Sequence, residues 1–189
     1  RNADLIACED TRHSRPLLQH HDIDRPLISL HDHNEAQRID ELISRAKQGL
    51  HIAAISDAGM PLISDPGYRL LQACIDENVA YTVLPGPSAV LTALAGSGLP
   101  SHSFRFDGFL PVKKGKRRKS LEDAIQSDTT AIFFESPHRI ISTMEILADI
   151  SPNVRVCIAR ELSKKFETYH RDTATNLLFQ FKERKPKGE

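Results

Sequence analysis

Four short polar clusters carry the residue types that acid–base work requires. They are Glu9-Asp10-Thr11-Arg12, His31-Asp32-His33-Asn34-Glu35, Glu135-Ser136 with His138-Arg139, and Arg160-Glu161. Each follows a short apolar run that reads as a strand, and in an open α/β sheet the rim beyond the strand carboxyl ends is where ligands bind. Carboxylates and imidazoles grouped there can orient a hydroxyl and accept its proton, and arginine can hold a phosphate. Local roles compete for the same residues. Asp10 suits the cap of a helix starting at Thr11, Asn34 the N-cap of the next one, and His138-Arg139 a solvated helix start. His31-x-His33 is a pair that zinc could use, but no further ligands stand at a completing spacing, and no metal is expected.

Two loops differ in kind. Ser56-Asp57-Ala58-Gly59-Met60-Pro61 runs on to Ser64-Asp65-Pro66-Gly67, and Pro85-Gly86-Pro87-Ser88-Ala89 repeats the design. Residues without side-chain bulk let a ligand lie against backbone N–H and C=O groups, and proline stiffens the frame around them. At one sheet edge the pair would make a backbone-rich pocket, although Gly/Pro turns also serve simply as turns in α/β proteins. Neither GxGxxG nor GxxxxGK[ST] occurs, which argues against dinucleotide enzymes and P-loop NTPases.

A third feature is cationic. Lys113, Lys114, Lys116, Arg117, Arg118 and Lys119 put six basic residues into a seven-residue stretch. The chain as a whole is neutral, with 25 basic and 25 acidic residues. Local concentration in a neutral chain fits phosphate contacts, with Arg12 and Arg15 adding to the surface; a solvated loop is the alternative. Phe109 suits either a stacked base or the core.

These groups need a frame. Apolar spacing predicts strands over residues 4–8, 26–30, 51–55 and 81–84, and helices over 11–21, 34–48, 67–77 and 89–95. Residues 96–111 read as a linker. A second set follows: helices over 120–126, 139–150 and 173–182, and strands over 130–134 and 155–160. In the 34–48 helix Ile39, Leu42, Ile43 and Ala46 share one face. Strand–helix alternation implies mostly parallel sheets covered by helices, in an N-terminal domain of residues 1–97 and a C-terminal domain of residues 98–189. A hydrophobic share of 40% supports a globular core. Three scattered cysteines without CxxC spacing suit a reducing cytoplasm. No run is long enough to span a membrane.

Seven collinear motifs, EDTRHSRPLLQHHDI, SLHDHNE, SDAGMPLISDPGYRL, LPGPSAVLTALAGSGLP, FDGFLP, FFESPHRI and ARELSKKFET, resemble the tetrapyrrole methylase superfamily. Within it the likeness is to the branch that 2′-O-methylates a cytidine ribose of small-subunit (16S) ribosomal RNA. The resemblance implies two α/β domains with S-adenosylmethionine in the cleft between them, a homodimer, and the small ribosomal subunit as partner. It also implies a strand before Arg1 and another after Glu189, so the sequence reads as part of a longer chain. Met60 stands where threonine is usual. By the resemblance Ala58, Gly59, Met60 and Ile63 line the methionine part of the donor, with Ser88 and Ala89 beside it. Phe134 and Leu162 close over the adenosine, and Asp57 orients the loop. From the strand-end clusters themselves, Glu9, Asp10, Arg12, His33 and Glu161 are the expected catalytic group. Phe134 and Leu162 also suit plain core packing. Two further functions stay open: methylation of a small molecule such as a tetrapyrrole, and non-catalytic RNA binding on the same fold.

Overall fold

The computed structural model describes residues 2–31 and 33–188. Asp32, one of the candidate rim residues, lies outside them. The chain divides into two compact units, residues 1–88 and 89–189.

In the first unit, β1 (Leu5–Cys8) lies between β2 (Leu27–Ser29) and β3 (Ile52–Ile55), parallel to both. Cys8 pairs with Ser29 on one side and with Ile55 on the other. The three strands therefore end level, and Glu9, Leu30 and Ser56 leave the sheet at one edge. A β1 buried along its whole length is what a central parallel strand demands. Leu5, Ala7, Ile28, Leu30 and Leu42 form the core, with Ile52 and Leu70 packed against it. Helices α1 (Thr11–His20), α2 (Glu35–Lys47) and α3 (Tyr68–Asp76) complete the unit. The predicted face of α2 turns inward, with Leu42 and Ile43 buried.

The predicted strand over residues 81–84 does not form. Its apolar residues carry the strand signal, yet no described strand pairs with it, and Tyr81, Val83 and Leu84 are 53%, 64% and 76% exposed. β-propensity records fit to a paired, half-buried surface and does not supply the ladder.

The second unit opens with α4 (Ala89–Ser97), a helix expected in the N-terminal domain. It packs on β6 (Arg155–Arg160) and β7 (Thr168–Thr173), an antiparallel pair. The approach is close because Gly96 has no side chain: a Cβ there would stand 2.4 Å from the Tyr169 ring. The Tyr169 hydroxyl donates to the Thr92 carbonyl at 3.2 Å. Arg171 donates from Nε and Nη2 to the Gly96 carbonyl, closing the helix C-terminus.

Strand β4 (Phe104–Phe109) lies inside the expected linker and pairs in parallel with β5 (Thr130–Phe134). Gly, Ser and Pro around it concealed a strand whose FRFDGF alternation was there to read. α5 (Lys114–Ile125) begins six residues before the predicted helix and takes up most of the basic stretch. α6 (Ile140–Ile150) and α7 (Ala174–Glu183) cover the core of Leu110, Leu121, Met144, Leu147, Leu177 and Phe181. Both units are thus α/β, and among the described strands three of the four pairs are parallel; the β6–β7 pair is the antiparallel exception.

Candidate functional site

The two small-residue loops meet within the first unit. The Met60 Sδ lies 3.2 Å from where a Cβ on Gly86 would stand, and the Pro87 carbonyl lies 3.8 Å from that position on Gly59. Ala58 and Gly59 are exposed, so their backbone is open to a ligand. One Asp57 carboxylate oxygen, Oδ1, is buried without a hydrogen-bond partner among the described residues. A buried acceptor with no donor is costly unless something supplies one. The loop itself is held in uncommon backbone: Gly59, Leu62, Ser64 and Gly67 have φ of 78°, 71°, 65° and 118°. For leucine and serine that region is unfavourable, and such residues concentrate at functional sites. Ile63 is half-exposed beside them. Ser88 closes this unit, and Ala89 starts α4 in the other.

Asp10 is fastened rather than open. Its carboxylate accepts the Arg12 backbone N–H at 2.8 Å, capping α1, and also receives Arg12 Nε at 3.1 Å and Nη2 at 2.8 Å. The Arg12 guanidinium, helped by that backbone donor, holds the carboxyl down to about 2. Arg12 itself is 90% exposed along its side chain. Glu9 is half-buried and Arg15 exposed. Cys8, buried at the end of β1, has its thiol pushed up by desolvation.

Past β2, Asn34 occupies the N-cap position of α2, but its side chain does not cap the helix. It turns back instead: Oδ1 accepts from the His31 N–H at 2.9 Å, and Nδ2 donates to the Ser29 carbonyl and hydroxyl at 3.1 Å. The turn so fixed presents His33 to solvent, its ring edge-on to His31 at 6.0 Å. His31 Nδ1 is buried with no partner among the described residues. Glu35, 5% exposed, was grouped with the rim residues but points elsewhere, accepting backbone N–H groups at the start of α3. A helix that begins at a glycine, with no side chain of its own to cap it, was the sequence signal for such a partner.

In the second unit, Phe134 lies in an aromatic cluster with Phe106 at 4.8 Å and Phe109 at 5.3 Å between ring centroids. Phe109 is 62% exposed, so it is the cluster's open member. Glu135 is built into its surroundings: it pairs with Arg139 at 2.6 Å and accepts from the Thr143 hydroxyl at 2.6 Å. Leu162 is half-buried. Glu161 adopts φ 54°, pairs with Lys164 at 3.3 Å, and has the backbone of Gly188 close over its carboxylate.

The basic stretch is helical from Lys114, and the expectation of six solvent-facing cations needs correction. Arg117 is 6% exposed, with Nη2 donating to the Ser142 hydroxyl at 3.3 Å. Arg118 is ion-paired to Glu122 at 2.9 Å and to Asp149 at 2.6 Å. Helical periodicity turns one arginine inward and lines the other up with carboxylates. Lys113, Lys114, Lys116 and Lys119 remain exposed. Among the described residues no His/Cys/Asp/Glu group has metal-binding geometry, and no helix is long and apolar enough to cross a membrane.

Proteins called ribosomal RNA small subunit methyltransferase I are similar to this chain. That of Vibrio cholerae serotype O1 is 49% identical over 168 residues, 88% of this chain and 58% of the relative. That of Escherichia coli O157:H7 is 46% identical over 189 residues, 98% of this chain and 66% of the relative. The Thermotoga maritima protein is 41% identical over 190 residues, covering 100% of this chain and 85% of its own length. The chain thus spans less than two thirds of several relatives' length. Among solved structures, that of the cobalamin biosynthetic enzyme cobalt precorrin-4 methyltransferase matches with a TM-score of 0.63 at 15% identity. It covers 96% of this chain and 79% of its own, a likeness of fold. The model of the tetrapyrrole (corrin/porphyrin) methylases matches residues 1–178. With that match over nearly its whole length, on a fold shared with a solved methyltransferase, the chain belongs to the tetrapyrrole methylases.

Proposed function

We propose that this chain forms the methyl-transferring part of an S-adenosylmethionine-dependent enzyme. Its substrate is the 2′-hydroxyl of a cytidine ribose in small-subunit ribosomal RNA. The observation that carries the donor site is the meeting of residues 56–60 with residues 85–87 beyond the level strand ends. The names of the 41–49% identical relatives support the RNA substrate.

The residues fit the donor. Bound there, S-adenosylmethionine would supply a methyl group made electrophilic by its sulfonium. Ala58 and Gly59 offer exposed backbone, and the unpartnered Asp57 oxygen suits an ammonium or ribose hydroxyl. In this reading Asp57 binds the donor as well as shaping the loop. Met60, Ile63 and Ser88 belong to the same loops, and the resemblance adds Ala89, with Phe134 and Leu162 for the adenosine side.

For the acceptor, we assign the proton of the ribose hydroxyl to His33, an exposed imidazole of the type that commonly works as a base near neutrality. Arg12, oriented by Asp10, and Arg15 hold neighbouring phosphates, as do the four lysines of the 113–119 stretch. Glu9 and Glu161 stay in the polar rim. The resemblance supports a homodimer, and the scattered cysteines a reducing cytoplasm.

The test is transfer of labelled methyl from S-adenosylmethionine to assembled small subunits, to naked RNA and to a tetrapyrrole. Label in the ribose of one cytidine, on the first substrate, is the expected result. Label in the tetrapyrrole alone would give the small-molecule reading instead. Donor binding without any transfer would leave an RNA-binding role.

A further inference from the structure

We propose that Glu35 is a positioning residue that holds the 56–67 loop in its donor-binding shape and ties it to the turn presenting His33. The proposal rests on the methyltransferase reading above.

The loop needs holding. Its left-handed residues at 59, 62, 64 and 67 include a leucine and a serine, so the isolated segment would relax away from this shape. One end is fixed by the β1–β3 ladder, which runs to the Cys8–Ile55 pair. The other end is Gly67, the N-cap of α3. A capping side chain cannot simply be supplied at that position. With φ 118° it strains any L-residue, and a Cβ would stand 3.1 Å from the Leu62 side chain packed on it. The first turn of α3 therefore takes its acceptor from elsewhere in the fold. A single Glu35 oxygen, Oε1, accepts from Gly67 N at 3.1 Å, Arg69 N at 3.0 Å and Leu70 N at 3.3 Å. The positive end of the helix macrodipole favours a carboxylate in that place, and at 5% exposure little water competes for its three backbone hydrogen bonds.

The second attachment is covalent. Glu35 is the first residue of α2, directly after Asn34, whose side chain locks the turn to Ser29 and His31. One five-residue segment thus exposes His33 at its centre and fastens the donor loop at its end. A displacement of the loop reaches the imidazole through two bonded neighbours.

Hydrogen exchange and donor affinity, measured on the full-length protein with Glu35→Ala and Glu35→Gln, decide the matter. In Glu35→Ala the amides of Gly67, Arg69 and Leu70 and of the 56–67 loop should exchange at least about tenfold faster, while those of β1 and β2 keep their rates. S-adenosylmethionine Kd should rise by about tenfold or more. Glu35→Gln, which keeps the volume and an oxygen acceptor without the charge, should restore part of both, and it carries the test if the alanine variant does not fold. Unchanged loop exchange overturns the proposal. So does an equal acceleration throughout the first unit, which would make Glu35 a general stabiliser, and so does faster loop exchange with an unaltered Kd. Failure of the wild-type protein to bind the donor would sink the methyltransferase reading instead, and the loop amides would still report whether Glu35 holds the loop.

Discussion

Replacing Lys113, Lys114, Lys116 and Lys119 together by glutamine should flatten the salt dependence of RNA binding. The size of the effect follows from which cations α5 leaves outside. Of the six basic residues in the stretch, Arg117 is buried against Ser142 and Arg118 is taken up by Glu122 and Asp149. Each phosphate neutralised contributes about 0.9 to the slope of log affinity against log salt on duplex and about 0.7 on single strands. Four bound lysines would therefore contribute about 3 units, and two about 1.5. The assay is a binding titration on small-subunit RNA over a salt series, with S-adenosylmethionine affinity as the control that must not move. Arg118→Gln is the internal comparison: it breaks two ion pairs and should leave the slope within about 0.5. A quadruple variant with the wild-type slope would make the lysines a solvated face. An equal flattening from Arg118→Gln would mean that ion-paired and exposed cations contribute alike, which refutes the sorting.

Four other outcomes are expected. Gly96→Ala puts a methyl 2.4 Å from the Tyr169 ring, so α4 must shift on β6–β7; overpacking of this kind costs about 1–3 kcal/mol, read as a drop in melting temperature. Burial, and the charge of Arg160, hold the His170 imidazole below its ordinary 6.5, so the unfolded chain protonates first as pH falls through that value. Stability should decline on acidification below 6.5 until the folded group also protonates, and His170→Gln should remove that part of the decline in a pH series of denaturant melts. Asp10→Asn keeps a capping oxygen but loses the charge that orients Arg12, so it should raise the KM for RNA. His33→Ala should instead lower kcat by about 10²-fold or more; single-turnover rates on assembled subunits with saturating donor separate the two.

Much of the frame was legible because single residues decide it. Cys8, Ser29 and Ile55 end three apolar runs that polar clusters follow, and the level register of the sheet then brings those clusters to one edge. The loops announced themselves through Gly59, Pro61, Gly67, Gly86 and Pro87, and the contact of Met60 with Gly86 is the outcome of that shared design. Less visible was anything that depends on a partner distant in sequence. Tyr81, Val83 and Leu84 have strand chemistry without a ladder. Thr168–Thr173 has little apolar content and becomes a strand because β6 pairs along its whole length. Gly96 reads as the start of a linker until Tyr169 is found lying on it. The basic stretch misled through composition: KKGKRRK looks like a loop, whereas helical periodicity from Lys114 assigns its two arginines to the protein and its lysines to the solvent.

The same distinction bears on the proton. The clusters past β1 and β2 each offer an acceptor, Asp10 and His33, and their surroundings separate them. A carboxyl held at about 2 is protonated in about one molecule in 10⁵ at neutral pH, and both of its oxygens already serve Arg12. Good bases do not sit so far below the working pH. Asp10 is better understood through what it holds: an arginine whose side chain is 90% exposed, its guanidinium aimed by two hydrogen bonds while its backbone N–H is capped by the same carboxylate. His33 has the opposite character, an exposed imidazole on a turn locked from behind by Asn34 and anchored ahead by Glu35. In the proposed reaction, one of the two strand ends is thereby suited to grip the RNA and the other to take its proton. In that proposed reaction the carboxylates of Asp10 and Glu35 act by positioning their neighbours.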